Sequence, residues 1–307
     1  MWSVLVSRLI LRARRKSLKI VHDLGLATLT RYNGKGMDRP SIRDSAREYG
    51  RGVVGGLIFS LPLLYTMEVW QTGFVASPGR LLVGLVATFG LLLLYNRYAG
   101  LHEDVSKWEV AIDSVEELAL GLIVATLTLK LTGRLSEGDG VSASLGKIGI
   151  CGMMSAIGVS VGTAQLGAEN PQKDRKPHFS GQIAIAMCGS FLVAGNVAPT
   201  EEIERIAFAA TPGALVGILL LSLLVAGVVT GVGDFRVGRA FSDNIPVPEP
   251  IFAAVVSGFV ALAVSAGMVA FFGGFEGNGV YVVLAQTVVL GLPAALGASA
   301  GRLLLQT

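Results

Sequence analysis

The sequence predicts an all-α protein that crosses a membrane about eight times and consists of two parallel repeats of four helices. Of its 307 residues, 52% are hydrophobic and 15% are charged, whereas a water-soluble domain is usually about one quarter charged. Apolar runs of about twenty residues, the length that crosses a hydrocarbon core of about 30 Å, recur along the chain. A stretch in the first half of the chain also returns 134 residues later. These observations predict a polytopic membrane protein.

Eight apolar runs are candidate spans. They are continuous rather than alternating, which predicts helices, because the strands of a membrane barrel alternate in segments of about ten residues. Their approximate bounds are 52–74, 80–99, 112–133, 144–165, 181–200, 212–233, 250–273 and 280–303.

The positive residues predict the orientation of these spans. With eight spans and a cytoplasmic N-terminus, most of the 25 Lys and Arg residues fall on the cytoplasmic side, as the positive-inside rule requires. The exceptions are Arg80, Lys130, Arg134, Lys147 and Arg205. We therefore expect both termini in the cytoplasm.

The first 51 residues form a basic cytoplasmic segment. Arg8 interrupts the short apolar stretch at its start and no cleavage site follows, which disfavours a signal peptide. The segment is either an amphipathic helix at the membrane interface, with Trp2 and Leu5 in the headgroup region, or a flexible tail. Beyond it, acidic residues outnumber basic ones, so the basic balance reflects topology and does not indicate nucleic-acid binding.

Motifs of enzymes and cofactor sites are missing from the sequence. Cys151 and Cys188 lie singly in apolar runs and are interpreted as small core residues. No Walker loop, zinc-protease motif or nucleophile elbow occurs, and no span pairs a nucleophile with a base. We expect neither an enzyme nor a cofactor.

Internal similarity divides the chain into two halves. Residues 55–85 align without gaps on 189–219, and the segment AIGVSVG at 156–162 resembles ALGASAG at 295–301. The halves are predicted at 52–166 and 181–307, joined by a cytoplasmic linker at 167–180. Because each half has an even number of spans, the two repeats are parallel.

Paired carboxylates in the first helix of each half suggest an ion-binding site. Glu68 and Glu202 occupy equivalent positions, and a carboxylate facing lipid would be costly. Pro62 and Pro199 are expected to break these helices and free carbonyl groups, which is typical of transport sites and of gating elements. The predicted neutral oxygen ligands beside the carboxylates are Thr66, Thr200 and Asn196.

Simpler interpretations of these acidic residues stay open. Glu68 is close to Trp70, an aromatic-belt residue, and Glu202 lies among other charges that suit a water interface. Asp113, Glu116 and Glu117 could stabilise the N-terminus of the third span through the helix dipole. Asn96 could simply mark the cytoplasmic end of the second span.

The preferred functional hypothesis is secondary transport or conduction of a small cation, with or without coupling to protons. The alternative is a membrane scaffold or sensor in which the carboxylates hold the two halves together. Besides the cation or proton, the lipid bilayer is the expected partner.

Three short stretches carry a family resemblance. LPLLYTMEVW, NRYAG and NVAPTEE, at 61–70, 96–100 and 196–202, resemble a bacterial family of integral membrane proteins of uncharacterised function, over most of residues 45–303. The resemblance implies several spans and a location in the bacterial cytoplasmic membrane. It implies no activity and no site residues.

Overall fold

The helices predicted from the apolar runs are present. A computed structural model of the chain describes residues 42–99, 106–136, 138–166, 179–233 and 249–304, and within these ranges all regular structure is helical. The ten helices are α1 (Ile42–Tyr65), α2 (Met67–Val75), α3 (Pro78–Ala99), α4 (Lys107–Leu131), α5 (Val141–Gln165), α6 (Phe179–Val197), α7 (Glu201–Ala209), α8 (Pro212–Gly233), α9 (Glu249–Phe271) and α10 (Val280–Leu304). Residues 1–41 of the predicted basic segment and residues 167–178 of the predicted linker lie outside the described residues.

Within the described part of the chain, six helices are long and apolar enough to cross a membrane. They are α3, α5, α6, α8, α9 and α10, and the bent pair α1–α2 would make a seventh. Helix α4 is as long as these, but it carries Asp113, Glu116, Glu117 and Lys130. The prediction of several membrane helices is therefore confirmed, and the predicted total of eight stays a prediction.

The predicted span 52–74 is divided into two helices. Helix α1 already begins at Ile42, and the chain bends by 81° between α1 and α2. The bend is at Thr66, whose backbone is extended (φ −85°, ψ 119°) and cannot continue the helix. The sequence predicts a break in this helix at Pro62, whereas the structure has the bend four residues later, at Thr66.

A second short helix follows a similar break in the other half of the chain. Thr200 is also extended (φ −79°, ψ 145°) and precedes α7, which has nine residues, as α2 has. Both short helices end at an alanine with extended backbone, Ala76 and Ala210. The same sequence of long helix, break and short helix therefore occurs twice, 134 residues apart.

Glycines allow pairs of helices to cross with their backbones in contact. A Cβ atom on Gly55 of α1 would overlap Gly162 of α5, and one on Gly189 of α6 would overlap the carbonyl of Gly297 in α10. Gly189 also faces the Cα of Gly301. Because any side chain would push these backbones apart, the α1–α5 and α6–α10 crossings both require glycine.

A further contact recurs between the last two helices of each half. A Cβ on Gly152 would lie 2.5 Å from Leu122, and a Cβ on Gly291 would lie 2.9 Å from Leu262. These contacts join α4 to α5 and α9 to α10. The helix pairs therefore pack in a similar register.

Helices α4 and α9 also end in the same turn. Gly133 and Gly273 both have positive φ, 70° and 91°, a conformation that glycine adopts readily at helix C-termini. The next residue in each case donates its backbone N–H five residues back: Arg134 to Leu129 and Gly274 to Val269, both at 2.8 Å.

Helix α5 lies at the centre of the described residues. In its apolar stretch 89% of the residues are buried, against 28% in α3 and 17% in α8. Met153, Met154 and Ile157 of α5 are among the largest fully buried side chains. Helices α3 and α8 therefore present most of their surface to the surroundings, whereas α5 holds the core.

Candidate functional site

A polar cluster lies between α3, α4 and α5. Asn96, near the end of α3, donates a hydrogen bond from Nδ2 to the Glu117 carboxylate at 2.7 Å and to Ser114 Oγ at 3.1 Å. Ser114 is fully buried and Glu117 is half-buried. The cluster thus encloses the Glu117 side chain between α3 and α5.

The hydrogen bonds fix the orientation of the Asn96 amide. Ser114 Oγ donates its single hydrogen to the carbonyl of Val110 at 2.7 Å, so it can only accept from Asn96. The Asn96 atom that faces Ser114 must therefore be the nitrogen. Its two hydrogens are both used, one by Ser114 and the other by Glu117.

Ser160 of α5 completes the cluster. Its hydroxyl donates to Asn96 Oδ1 at 3.2 Å and lies near the Glu117 carboxylate. Ser160 is 2% exposed, so its hydroxyl forms its hydrogen bonds within the protein and not with bulk water. A single hydroxyl hydrogen consequently has two acceptors.

The groups around the cluster are mostly acidic or neutral. Asp113 and Glu116 lie on the same helix as Glu117 and repel its charge, and Cys188 of α6 interacts electrostatically with it. Tyr49 of α1 donates to Glu116 at 3.1 Å. Among the described residues, no Lys or Arg forms an ion pair with Glu117.

The interpretation of these acids as helix N-terminal residues was wrong. Helix α4 begins at Lys107, where Ser106 and Glu109 form a capping box. Glu117 lies ten residues further along, beyond the first turn in which the dipole acts. The interpretation of Asn96 as a helix exit did not include its contact with Glu117, because the two residues are 21 positions apart in sequence.

The corresponding positions in the second half carry hydroxyl groups. The bounds of α3 and α8, which both begin at a Pro-Gly pair and have 22 residues, align Asn96 with Thr230. The recurring contacts align Glu117 with Ser257 and Ser160 with Ser299. All three hydroxyl residues are buried. Thr230 donates to Ala226 at 2.7 Å, within its own helix. The Glu117 carboxylate of α4 therefore has a neutral counterpart, Ser257, in α9.

The structure places the two predicted carboxylates at the beginnings of the short helices. Glu68 is in the first turn of α2 and half-buried, whereas Glu202 is in the first turn of α7 and exposed. Glu202 has Glu201 and Glu204 beside it, and Glu201 pairs with Arg205. Glu68 and Glu202 therefore occupy equivalent positions in the two short helices. Ion binding by these two carboxylates stays a prediction.

The two predicted threonine ligands form hydrogen bonds within their own helix or turn: Thr66 donates to Pro62 at 2.6 Å, and Thr200 donates to Val197 at 2.8 Å. Asn196 donates to the carbonyl of Leu192 at 2.6 Å and to the carbonyl of Phe59 in α1 at 3.5 Å. Its own Oδ1 is buried without a hydrogen-bond donor among the described residues.

The two prolines have different positions. Pro62 lies inside α1, three residues before the helix ends, whereas Pro199 lies in the turn after α6. Pro199 thus follows a helix that has already ended, and only Pro62 is internal to one. Their predicted role in gating stays a prediction.

A second charged cluster contains Lys147, which is 6% exposed near the start of α5. Its ammonium donates to Asp139 at 2.7 Å and to the carbonyl of Arg134 at 3.0 Å. The guanidinium of Arg134 lies 4.8 Å from the centre of the Trp70 ring. The hydrogen bond from Lys147, with one from the Ser136 backbone, holds the pKa of Asp139 below its usual range.

Metal ligands are not grouped in the described part of the chain: no three His, Cys, Asp or Glu side chains there come together in a way that could hold a metal ion. Both cysteines are buried and free, in agreement with their interpretation as core residues.

Long apolar helices, glycine-mediated crossings and an enclosed carboxylate define a polytopic helical membrane protein. A family model described as "Putative integral membrane protein (DUF2391)" matches residues 48–305, and the chain belongs to this family. The resemblance recognised from the sequence is thereby confirmed. No curated protein and no solved structure is similar enough to match the chain.

Proposed function

We propose that this protein moves a proton or another small cation across the membrane, as a secondary transporter or a channel, and that Glu117 binds the ion. The observation that supports this most directly is the enclosed Glu117 carboxylate, held by neutral Asn96 and Ser160. An ionised carboxylate in a membrane segment costs a few kcal/mol, and such residues usually belong to ion pathways. No enzymatic activity is part of the proposal.

The proposal includes two parallel halves in a bacterial inner membrane, with both termini in the cytoplasm. The recurring glycine crossings, the two short helices and the matching turns at Gly133 and Gly273 support a duplicated architecture. Duplicated helices with breaks in corresponding positions are common in secondary transporters. Here the breaks are at Thr66 and Thr200.

Flux through liposomes containing the purified full chain tests this function. Proton, sodium, potassium and calcium fluxes are measured for wild type and Glu117→Gln, which keeps the size of the side chain but cannot ionise. We expect the variant to lose at least about tenfold in flux, which corresponds to about 1.4 kcal/mol or more. Glu204→Gln serves as the matched control, because Glu204 is exposed in the first turn of α7.

The same liposomes test the carboxylates predicted from the sequence. Loss of flux in Glu68→Gln and Glu202→Gln, with both variants eluting as folded protein, would add them to the pathway. Normal flux in both would restrict the site to the α3–α4–α5 cluster.

An absence of flux above that of empty liposomes, for every cation tested and with folded protein, would contradict transport. The alternative function, a membrane scaffold or sensor, would then be favoured. In that case Glu117→Gln is expected to lower thermal stability without removing any separable activity.

A further inference from the structure

We propose that the ion at Glu117 is the proton, and that each chain has one such proton site, in which Ser160 changes hydrogen-bond partner with the protonation state. This proposal identifies the ion of the proposed function and rests on that function only where transport is concerned. Protonation of Glu117 itself can be measured without measuring flux. The hydrogen bonds at Glu117 are directed differently from the ligands of a metal site.

A bound metal ion requires oxygen atoms directed at it, about six for sodium-sized or calcium-sized ions. At Glu117 the neighbouring groups present hydrogens instead. Both Nδ2 hydrogens of Asn96 are committed, and one of them is donated to the carboxylate at 2.7 Å. This arrangement neutralises part of the carboxylate charge without a metal.

The Ser160 hydroxyl allows the cluster to be satisfied in both charge states. When Glu117 is ionised, Ser160 turns its hydrogen from Asn96 Oδ1 towards the neighbouring carboxylate. When Glu117 binds a proton, the new O–H of Glu117 donates to Ser160 Oγ, and Ser160 donates to Asn96 Oδ1, from which it is 3.2 Å away. One proton is gained, the hydrogen bond from Ser160 to the carboxylate is replaced by one from Glu117 to Ser160, and every donor hydrogen of the cluster keeps an acceptor.

The titratable neighbours do not supply a competing cation. Asp113 and Glu116 on α4 are carboxyl groups, Tyr49 of α1 donates its hydroxyl to Glu116, and Cys188 of α6 is a thiol. All of these groups are neutral when protonated. Proton binding at Glu117 therefore removes charge from an enclosed acidic region, whereas removal of the proton adds charge to it.

The second half has no equivalent site. Ser257 occupies the position of Glu117, and Thr230 and Ser299 occupy those of Asn96 and Ser160. Hydroxyl groups do not ionise in the physiological pH range. Of the two corresponding positions, 117 and 257, only the first thus carries a carboxyl group.

Infrared difference spectroscopy tests the proposal directly. Spectra of the full chain in lipid nanodiscs are recorded at acidic and alkaline pH, and the carbonyl stretch of a protonated carboxyl group is followed. We expect a band from an enclosed carboxyl group that shifts when glutamate side chains are isotope-labelled. The band should be lost in Glu117→Gln and retained in Glu204→Gln. Isotope labelling of the wild type keeps the test valid even if Glu117→Gln does not fold.

The role of Ser160 has its own matched pair of variants. Ser160→Ala removes one hydrogen-bond partner and is expected to change the frequency of the carboxyl band. Ser299→Ala removes the corresponding hydroxyl of the second half and should leave the band unchanged. A band that is the same in both variants would remove Ser160 from the site.

Three results would overturn the proton assignment: no carboxyl band at any pH, a band that persists unchanged in Glu117→Gln, or a band abolished by sodium or calcium at constant pH. Sodium or calcium flux that requires Glu117, without a carboxyl band, would preserve the proposed function and reject the proton. A Glu117 band without any flux would preserve the proton site and reject transport.

Discussion

Individual glycines decide how closely the helices approach. Gly55 and Gly189 are related by the same 134-residue interval as Thr66 and Thr200, and each faces the backbone of a partner helix. In a membrane, close packing of backbones is a main source of helix association, because lipid is as apolar as the side chains. These two crossings are therefore sensitive to a single methyl group.

We expect Gly55→Ala and Gly189→Ala to destabilise the protein by about 1–3 kcal/mol each, the usual cost of overpacking. Gly213→Ala is the matched control, since a Cβ at this exposed glycine would meet nothing within 4 Å. Thermal unfolding in detergent measures the difference. A control variant as destabilised as the other two would contradict the crossing as the cause.

Asp139 and Lys147 provide a pH-dependent contribution to stability. The pKa of Asp139 is lowered in the folded protein by its hydrogen bond to Lys147. A lowered carboxyl pKa stabilises the folded state above the unfolded value of about 3.9, and this stability is lost as the pH falls through the folded pKa. Asp139 therefore stabilises the protein at neutral pH and not in strong acid.

The variant Asp139→Asn is expected to have a lower Tm than wild type at neutral pH, because Lys147 is then buried beside a neutral partner. The Tm difference should shrink as the pH is lowered below about 3.9. Glu201→Gln is the comparison: its pair with Arg205 is exposed on both sides, and such pairs contribute about 0–1 kcal/mol. A Tm difference that is independent of pH would refute the assignment.

The site residues show what sequence reasoning could and could not find. Glu117 was visible as an acid in an apolar run, but its enclosure depends on Asn96 and Ser160, which are far from it in sequence. The repeat carried a usable signal, since aligning α4 with α9 places Glu117 opposite Ser257. Glu68 and Glu202 were predicted as the site because both halves carry the same residue at that position. Glu117 differs from its counterpart, Ser257, so the repeat did not indicate it.

Among the elements, the two short helices are the least predictable from hydropathy. The run at 52–74 is apolar throughout, so its length indicated a single span, while the backbone turns by 81° at Thr66. The order of the long helices was predictable, because each apolar run exceeds the length that a bilayer requires. Helix starts such as Ile42 were missed because polar residues extend α1 beyond its apolar part.

The bend at Thr66 has a counterpart in which no proline lies inside the preceding helix. Helix α6 contains no proline, and the chain breaks after it at Thr200 with a similar backbone conformation, next to Pro199 in the turn. We therefore expect Pro62→Ala to keep the fold and the flux of wild type, and to raise Tm slightly by adding one backbone hydrogen bond. Measurement of Tm and flux checks this. A lower Tm together with altered flux would show that Pro62 maintains the bend.

At the scale of the whole molecule, an ion pair joins the two halves near one of the helix connections. Arg80, at the start of α3, pairs with Glu276 in the connection between α9 and α10. Within the second half, Tyr281 of α10 donates to the carbonyl of Ala210 at 2.9 Å. If the two halves are parallel, the α4–α5 and α9–α10 connections lie on the same side of the membrane.

Cysteine labelling in cells tests this arrangement in a background with Cys151→Ala and Cys188→Ala. Ser136→Cys and Gly279→Cys are placed in the two connections, and Lys107→Cys at the start of α4. A membrane-impermeant reagent should label Ser136→Cys and Gly279→Cys from outside, and Lys107→Cys only after permeabilisation. Labelling of the two connections from opposite sides would contradict parallel halves.

The repeated glycine crossings have a consequence for the origin of such a chain. If both halves descend from one segment, that ancestor could bury its central faces by pairing with an identical copy in the same orientation, as a twofold homodimer. In a homodimer every substitution occurs twice, so an acidic residue at the Glu117 position would always be accompanied by a second. Gene fusion removes that constraint, and the pairing of Glu117 with Ser257 is an asymmetry that only a fused chain can encode.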